Sequence, residues 1–404
     1  MRSFTVWLLA AAVAVAMVFG PVGGAAAAGD AASDIVIGFA VALSGPMQAY
    51  DGDATRMAKL FIERANAAGG LLGRRLRAVD ADTRSDLDAG AAAGAAAVAG
   101  GAALVFVTCD YALGAPAARA VQAAGVLSVF LCAEDARAGV RGVGDLSFTA
   151  SGAASVQGAA LASFAAGARG WTRAYELLDE SLDSDASVCA GFDFQFARRG
   201  GTIAGRDSFR NDATGIDDQV AHLAAAAKEK SVQAVVLCSY LPGAARALRQ
   251  IRAAGIDLPV LAGSALDGGY WLKLVPDIGR LYVPAQASIL DDPRPEVRAL
   301  TSMYGQTYGR PPASPYAYPA YAFLQLWAKA VAAAGTAEPR AVAAMLETFA
   351  DVPTVLGPRG FRPGVHIQDR MPMLIEQASA GAFRVTDTIA AADPLPPDVL
   401  DRAP

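Results

Sequence analysis

Histidine is nearly absent from this sequence: His222 and His366 are the only two in 404 residues. Since histidine is the commonest general acid–base and a frequent metal ligand, little material remains for that chemistry. His222 sits in the helical pattern AHLAAAA and reads as a surface or packing residue, and His366, in a Gly/Pro-flanked turn, reads as exposed. Three catalytic fingerprints are missing as well. No G-x-G-x-x-G follows the first strand, no Walker A loop occurs, and there is no G-x-S-x-G elbow, so dinucleotide, nucleotide and serine-hydrolase chemistry have no anchor. The acid pairs Asp179-Glu180 and Asp183-Ser184-Asp185 lack the spaced partner that glycoside hydrolysis needs. Nor is there a basic excess. The 34 Lys and Arg against 39 Asp and Glu leave a formal charge of -5, which excludes an electrostatic footprint for nucleic acid.

What the chain has in quantity is apolar residues, 54% of the total and largely alanine. That fraction excludes a disordered polymer, and the length fits one or two domains. Only the first thirty residues hold an apolar stretch approaching membrane-spanning length. There Arg2 supplies a short basic n-region, Val6 to Phe19 an apolar h-region, and GPVGGAAAAGD the small residues for cleavage ending at Ala27 or Ala28. Residues 1–28 are therefore expected to be a signal peptide, with an exported chain beginning near Gly29. No basic stop-transfer cluster follows, which argues against a membrane anchor, and no cysteine is near for lipid attachment.

Four cysteines remain, and an exported compartment permits disulfides. Cys109 and Cys132 end the apolar runs LVFVTC and VLSVFLC, strands that a βαβ unit can place side by side. Cys109–Cys132 is the favoured bridge and Cys189–Cys238 the second, while free buried thiols stay open as the alternative.

From Asp34 onward strand and helix patterns alternate. DIVIGFAVAL closes at Ser44-Gly45-Pro46, and a helix is expected from about Ala54, with Met57, Leu60 and Phe61 on one face, ending at Gly69-Gly70. Strands RRLRAVDADT, LVFVTC and VLSVFLC alternate with helices over 89–99 and 112–124. After Phe148 the rhythm restarts, with strands RAYELLD, TIAGRDSF, AVVLC and LPVLAG. LYVPAQAS then leads to helices over 295–308, 316–334 and 338–349 and to strands at MPMLIEQ and FRVT. Repeated βαβ units imply parallel sheets with helices on both faces, and two such sets imply two lobes.

In open α/β sheets ligands sit beyond the carboxyl ends of the strands. Those ends here are Ser44 to Tyr50, Cys109 to Tyr111, Cys132 to Asp135, Asp179 to Asp185, Ser239-Tyr240 and Ser264 to Asp267, a polar, acidic and aromatic set. An Asp after a strand can equally be a helix cap, and Tyr50 can pack between lobes instead of touching a ligand.

With IGFAVALSGPMQAYDGD, AKLFIERANAAGGLLGRRLRAVDAD, ARRGGTIAGRDSF, GIDDQVAHLAAAAKEKSVQAVVL, PAYAFLQLWAKAVAAAG and LGPRGFRPGVHIQDRMPMLIEQASAGAF in this order, the chain resembles the type I periplasmic binding proteins of the leucine/isoleucine/valine class. The resemblance spans nearly the whole mature chain. It implies two Rossmann-like α/β lobes, 34–150 plus 288–352 and 151–287 plus 353–388, hinged by three crossovers, with 389–404 a loose tail. It also implies a periplasmic receptor, monomeric and without a cofactor, that hands a small solute to a membrane ABC permease. A ligand sensor of the same fold signalling to a membrane receptor is the alternative.

The resemblance places Ser44 and Tyr50 at the cleft, but the chain departs from the family elsewhere. Where the family has a Gly-Pro turn and a serine for an amino acid's carboxylate, this sequence has Val107-Thr108-Cys109-Asp110-Tyr111. Cys132-Ala133-Glu134-Asp135 replaces the small hydroxyl residues after the fourth strand, and Ser184-Asp185 the Tyr-Gly pair of the second lobe. Asp267 falls near the acidic contact for an amino group. The expected ligand contacts are thus Ser44, Tyr50, Cys109, Asp110 and Tyr111, then Ala133 and Glu134, then Ser184, Asp185, Tyr240 and Asp267. Carboxylates facing a ligand carboxylate would desolvate like charges. An amine, an amide or a polyhydroxylated solute therefore fits better than an aliphatic amino acid, unless the acids point to solvent and the pocket is apolar.

Overall fold

Residues Ile35–Val41, mostly β-branched or aromatic, make β1, and all seven are buried. In the computed structural model, which describes residues 33–379, 381–391 and 394–400, this strand lies inside a parallel sheet. The expected leader and its cleavage site lie outside the described residues. After β1 come α1 (Gln48–Ala67), β2 (Leu76–Asp82), α2 (Leu87–Ala99), β3 (Ala102–Val107), α3 (Tyr111–Ala123), β4 (Leu127–Phe130) and β5 (Ser147–Thr149). The five strands order as β2-β1-β3-β4-β5, all parallel. Phe39 and Phe106 stack on one face of the sheet; on the other, Ala40, Val105 and Phe130 pack with alanines of α2 and α3.

The chain then crosses to a second lobe: α4 (Ala154–Ser163), β6 (Arg173–Asp179), α5 (Asp183–Arg198), β7 (Thr202–Phe209), α6 (Asp217–Glu229), β8 (Ala234–Cys238), α7 (Gly243–Ala253), β9 (Val260–Ala262) and β10 (Leu281–Ala285). It returns as α8 (Pro295–Tyr308), α9 (Tyr318–Ala334), α10 (Pro339–Leu346) and the ribbon β11 (Val352–Thr354) and β12 (Gly357–Arg359). Phe323 and Trp327 of α9 and Leu346 of α10 bury in the first lobe's core. A final crossing leads to β13 (Met373–Ser379), β14 (Ala382–Ile389) and α11 (Pro397–Leu400). The second sheet orders as β14-β13-β10-β9-β8-β6-β7. Its β13 and β14 run antiparallel at one edge, which a wholly parallel reading did not include. A hairpin needs only a short connection, whereas a parallel pair would need a crossover segment that the tail does not have.

Two glycines let α4 and α5 touch backbone to backbone. A Cβ at Gly158 would lie 1.9 Å from the Val188 carbonyl oxygen, and one at Gly191 would lie 1.8 Å from that of Ser155. Both expected disulfides are present. Cys109–Cys132 joins the ends of β3 and β4 with a Cα separation of 4.5 Å, and Cys189–Cys238 ties α5 to β8 at 5.9 Å.

Three expectations need correction. The first helix starts at Gln48 rather than near Ala54, so Tyr50, Asp51 and Asp53 belong to its opening turns. His366 is not exposed: its ring stacks on Phe148 at 3.8 Å, with Nδ1 2.9 Å from the Ser147 carbonyl and Nε2 2.8 Å from Glu347. The Gly/Pro flanks mark a turn, but that turn is part of the third crossover and packs under the first lobe. His222 does lie at the surface, 3.1 Å from Asp207. The tail is not wholly loose, because Leu395, Val399 and Leu400 bury with Val156, Ala159 and Ala160 of α4. Their apolar spacing gives one short turn a face to bury.

The first and third crossovers run side by side. Thr149 N–H donates to the His366 carbonyl at 3.0 Å and Ala153 N–H to that of Gln368 at 3.0 Å. Gln286, at the start of the second crossover, donates to Ser151 Oγ at 2.5 Å. The hinge is therefore hydrogen-bonded within itself.

Candidate functional site

The loops leaving the carboxyl ends of β1, β3 and β4 are tied together in turn, the first two by Asp51. Buried on α1, it accepts from the N–H groups of Ala42 at 2.7 Å and Cys109 at 2.9 Å. Burial pushes its pKa up to about 6 against those bonds. The Cys109–Cys132 bridge adds a covalent tie between the second and third loops. Backbone positions around the cleft are thus fixed from beneath.

Glu134, just past β4, is the hub. Its two carboxyl oxygens lie 3.2 and 3.1 Å from Ser264 Oγ, which follows β9 in the other lobe. Tyr316 OH donates to Oε2 at 3.0 Å and Ser151 Oγ to Oε1 at 3.3 Å. Gln157 of α4 accepts from Ser264 N–H at 2.9 Å, fixing that loop. Burial raises the Glu134 pKa to about 7, opposed by Gln157, Tyr316, Ser264 and Ser151. Three residues beyond Ser264 lies Asp267, 3% exposed, which accepts from Ser314 Oγ at 2.7 Å. Its pKa stands well above the ordinary carboxyl range because of burial, with Glu376 and Glu134 adding to the effect. Among the described residues, neither Glu134 nor Asp267 has an ion-pair partner.

Aromatic rings complete this half of the cleft. Tyr50, 36% exposed, meets Tyr316 edge-on with centroids 6.3 Å apart. The Tyr270 hydroxyl is raised by burial and by Tyr50 and Asp267 beside it. Tyr316 and Ser314 lie two apart in the turn before α9, and Ser314 Oγ also accepts from Tyr316 N–H at 3.1 Å. One short turn therefore serves both carboxyl groups.

At the other end of the cleft, Asp185 on α5 is 5% exposed, with one carboxyl oxygen lacking a hydrogen-bond partner among the described residues. Burial and then Asp179 raise its pKa well above normal. Asp179 itself accepts from Asn211 Nδ2 at 2.7 Å and Ser239 Oγ at 2.8 Å. Tyr240 stands near both acids, its hydroxyl raised by burial and then by their charges. Ser184 is half-buried in the same first turn of α5. A cross-lobe ion pair closes this side: Arg137 Nη2 lies 2.6 Å from Asp183 while also bound to Asp135, and its guanidinium sits 4.7 Å over the Tyr111 ring.

The remaining sequence-derived candidates hold structural contacts. Ser44 is exposed and donates to Asp82 at 2.7 Å, in a turn beside the cleft. Asp110 caps α3 by accepting from Leu113 N–H at 2.8 Å. Cys109 is in its disulfide, and Ala133 offers its carbonyl to Thr149 Oγ1 at 2.5 Å. Tyr316, Ser314, Ser151 and Gln157 were not among the candidates. The only trace of the first two was the Ser-Pro pair in ASPYAY, a helix-start signal rather than a binding motif. Among the described residues no group of three or more His, Cys, Asp or Glu is placed to hold a metal ion. The arrangement brings carboxyl, hydroxyl and phenol groups from two lobes into direct contact.

Comparison with known proteins agrees with that architecture. No curated protein matches the sequence. Among solved structures, the leucine-binding protein of Thermotoga maritima superposes with a TM-score of 0.72 at 18% identity, covering 88% of this chain and 99% of the other. A branched-chain amino acid transporter substrate-binding protein of Streptococcus pneumoniae, solved with isoleucine, gives 0.71 at 22% identity, covering 89% and 100%. An ABC transporter solute-binding protein of R. palustris, solved with benzoate, gives 0.68 at 17% identity, covering 89% and 97%. The family model described as periplasmic binding protein matches residues 34–382, and the chain belongs to that family.

Proposed function

We propose that this protein is the exported solute-binding component of an ABC importer and that its ligand is a small cation, a protonated or quaternary amine. The observation that carries the reading is the pair Glu134 and Asp267, two buried carboxyl groups of one cleft with no cationic partner among the described residues. A buried carboxylate without a counter-charge is costly, and a ligand cation supplies that charge. Tyr50, Tyr316 and Tyr270 stand beside these acids, and cation–π attraction would add to the hold on a cation there. Leucine, isoleucine and benzoate, the first two amino acids and the third an aromatic acid, would each bring a carboxylate to these acids. The relatives' transport role supports delivery to a permease, and their ligands differ enough to leave this pocket its own specificity.

In this reading the lobes 34–150 with 288–352 and 151–287 with 353–388 close over the ligand as two bodies. The part of 353–388 up to Phe361 stays with the first body, since Phe361 packs against Phe148 and Phe323. The test is calorimetry of the mature chain at pH 8 against simple alkylamines, quaternary ammonium compounds, leucine, isoleucine and benzoate. Binding of one cationic class, weakened at least roughly tenfold in Glu134→Gln as expected for a lost charge-assisted contact, supports the reading. Tight binding of leucine or benzoate with no cation bound overturns it.

A further inference from the structure

Glu376 on β13 is 2% exposed, and among the described residues its carboxyl group has neither an ion pair nor a hydrogen bond that places it. Side chains alternate along a strand. Ile375 buries against α4 and α5, so Glu376 points to the opposite face, the one that carries Ala378 and Phe383. A cavity of about 260 Å³ lies on that face, with Glu376 in its wall. Both carboxyl oxygens stay within reach of water, unlike the sealed, unpartnered oxygens of Glu176 and Asp185. The hydroxyl beside them, Ser288 Oγ, gives its one hydrogen to Asp291 at 2.8 Å.

Among the described residues Glu376 is the only charged group in the wall of the cavity. Ile289, Leu290, Pro312, Pro315 and Phe383 make most of the rest apolar. The charges behind the wall do not compensate it. Asp292 is taken by Arg294 at 2.7 Å, whereas Asp291 has only Arg384 at 4.0 Å. A buried carboxylate without a counter-charge is costly, and here the counter-charge has room to come from outside. A water occupies roughly 30 Å³ of liquid, so the space admits a guest of several heavy atoms. A hard metal ion would want several oxygen ligands, and no group of three or more His, Cys, Asp or Glu is placed to hold one among the described residues.

We infer that this cavity is a second binding site, for a small organic monocation: a primary alkyl- or arylalkylamine whose ammonium pairs with the Glu376 carboxylate while its hydrocarbon lies against Phe383 and Ile289. The single charge in the wall sets the valence, and the apolar remainder selects a guest with a hydrocarbon body over a strongly hydrated ion. Glu134, Asp267 and Tyr316 are not in this wall, so the site stands whether or not the cleft takes a cation.

Calorimetry at pH 8 on the mature chain carrying Glu134→Gln tests this with the cleft weakened. Benzylammonium is the probe, and benzyl alcohol and benzoate at the same ionic strength are the neutral and anionic controls. The expected result is saturable binding of benzylammonium alone, weakened at least roughly tenfold when Glu376→Gln is added, as for a lost charge-assisted contact. Leu290, 52% exposed at the rim, supplies a variant that keeps the charge: Leu290→Trp narrows the space and should weaken benzylammonium more than methylammonium. If Glu376→Gln does not fold, that variant and crystals grown with 4-bromobenzylammonium decide, an anomalous bromine peak beside Phe383 supporting the site. Benzylammonium binding unchanged by Glu376→Gln, equal binding of benzyl alcohol, or a bromine peak only beside Glu134 overturns it.

Discussion

Glu134 and Ser264 meet across the cleft, one hydroxyl lying 3.2 and 3.1 Å from the two oxygens of one carboxyl group. The same hydroxyl is 2.8 Å from Tyr316 OH. A serine has one hydrogen to donate, so it cannot satisfy both carboxyl oxygens and the phenol together. With its pKa raised to about 7, Glu134 holds its proton through much of the neutral range when nothing positive is near. On the proposed function, a cation binds the ionised form and displaces that proton. Affinity for the cationic ligand should therefore rise with pH, roughly tenfold per unit below pH 7 for one released proton and then level off. Calorimetry in buffers of different ionisation enthalpy reads the proton directly. Glu134→Gln should flatten the profile; a slope that survives in that variant would move the titration to another group.

The pair of Arg137 and Asp183 spans the other end of the cleft at 2.6 Å. Both side chains are partly exposed, so their coupling is modest, about 0.2–1 kcal/mol after solvent screening. Since the contact joins the lobes, its loss should act on closure and not on the fold of either lobe. Asp183→Asn is expected to weaken ligand affinity up to about fivefold at low salt, less at high salt, with Tm unchanged. Stopped-flow tyrosine fluorescence would show the change in the dissociation rate. A fall in Tm equal to that of a core variant would assign Asp183 a folding role instead.

Gly158 and Gly191 hold α4 and α5 at backbone contact, and neither neighbour is a flexible side chain that can move away. Gly191→Ala must push the helices apart, at a cost of about 1–3 kcal/mol or more by the measure of overpacked cores. Differential scanning calorimetry should show a Tm lower by several degrees, with ligand affinity at the cleft preserved. An unchanged Tm would mean that the helix pair is looser than the geometry requires.

How much of this was legible in the sequence differs by element. β6, β7 and β8 match the runs RAYELLD, TIAGRDSF and AVVLC residue for residue, because turn signals such as Gly200-Gly201 bracket runs of strand length. Glu134 and Asp267 are named by the rule that ligands collect at strand ends. The same rule also named Asp110, whose carboxyl caps α3, and Ser44, which is held by Asp82. A polar residue after a strand carries both meanings, and local sequence cannot separate them. Tyr316 and Ser151 were invisible for another reason: they reach Glu134 from other elements, Tyr316 from 182 residues away and Ser151 from beyond β5, 17 residues on. Arg359 stands in a Pro/Gly-rich stretch where nothing local marks it as buried, since its burial depends on segments far apart in sequence, reached through Ala150 and Gln286.

Buried acids outside the cleft bear on stability. Glu376, on β13 and 2% exposed, has its pKa raised from 4.5 to about 7 by burial, with Asp291 and Asp292 adding to the effect. The folded state thus binds a proton that the unfolded chain has released by pH 6. A raised folded pKa contributes stability below the unfolded value and loses it as pH climbs through the folded one. Stability should therefore fall between about pH 4.5 and pH 7, by up to about 3 kcal/mol from this group alone. Glu376→Gln keeps the shape of the protonated acid and cannot ionise, so it should leave stability at pH 5 nearly unchanged and raise it at pH 8. Urea unfolding at the two pH values measures both, and a variant that is destabilised equally at each would show that the carboxylate is better paired than its surroundings indicate.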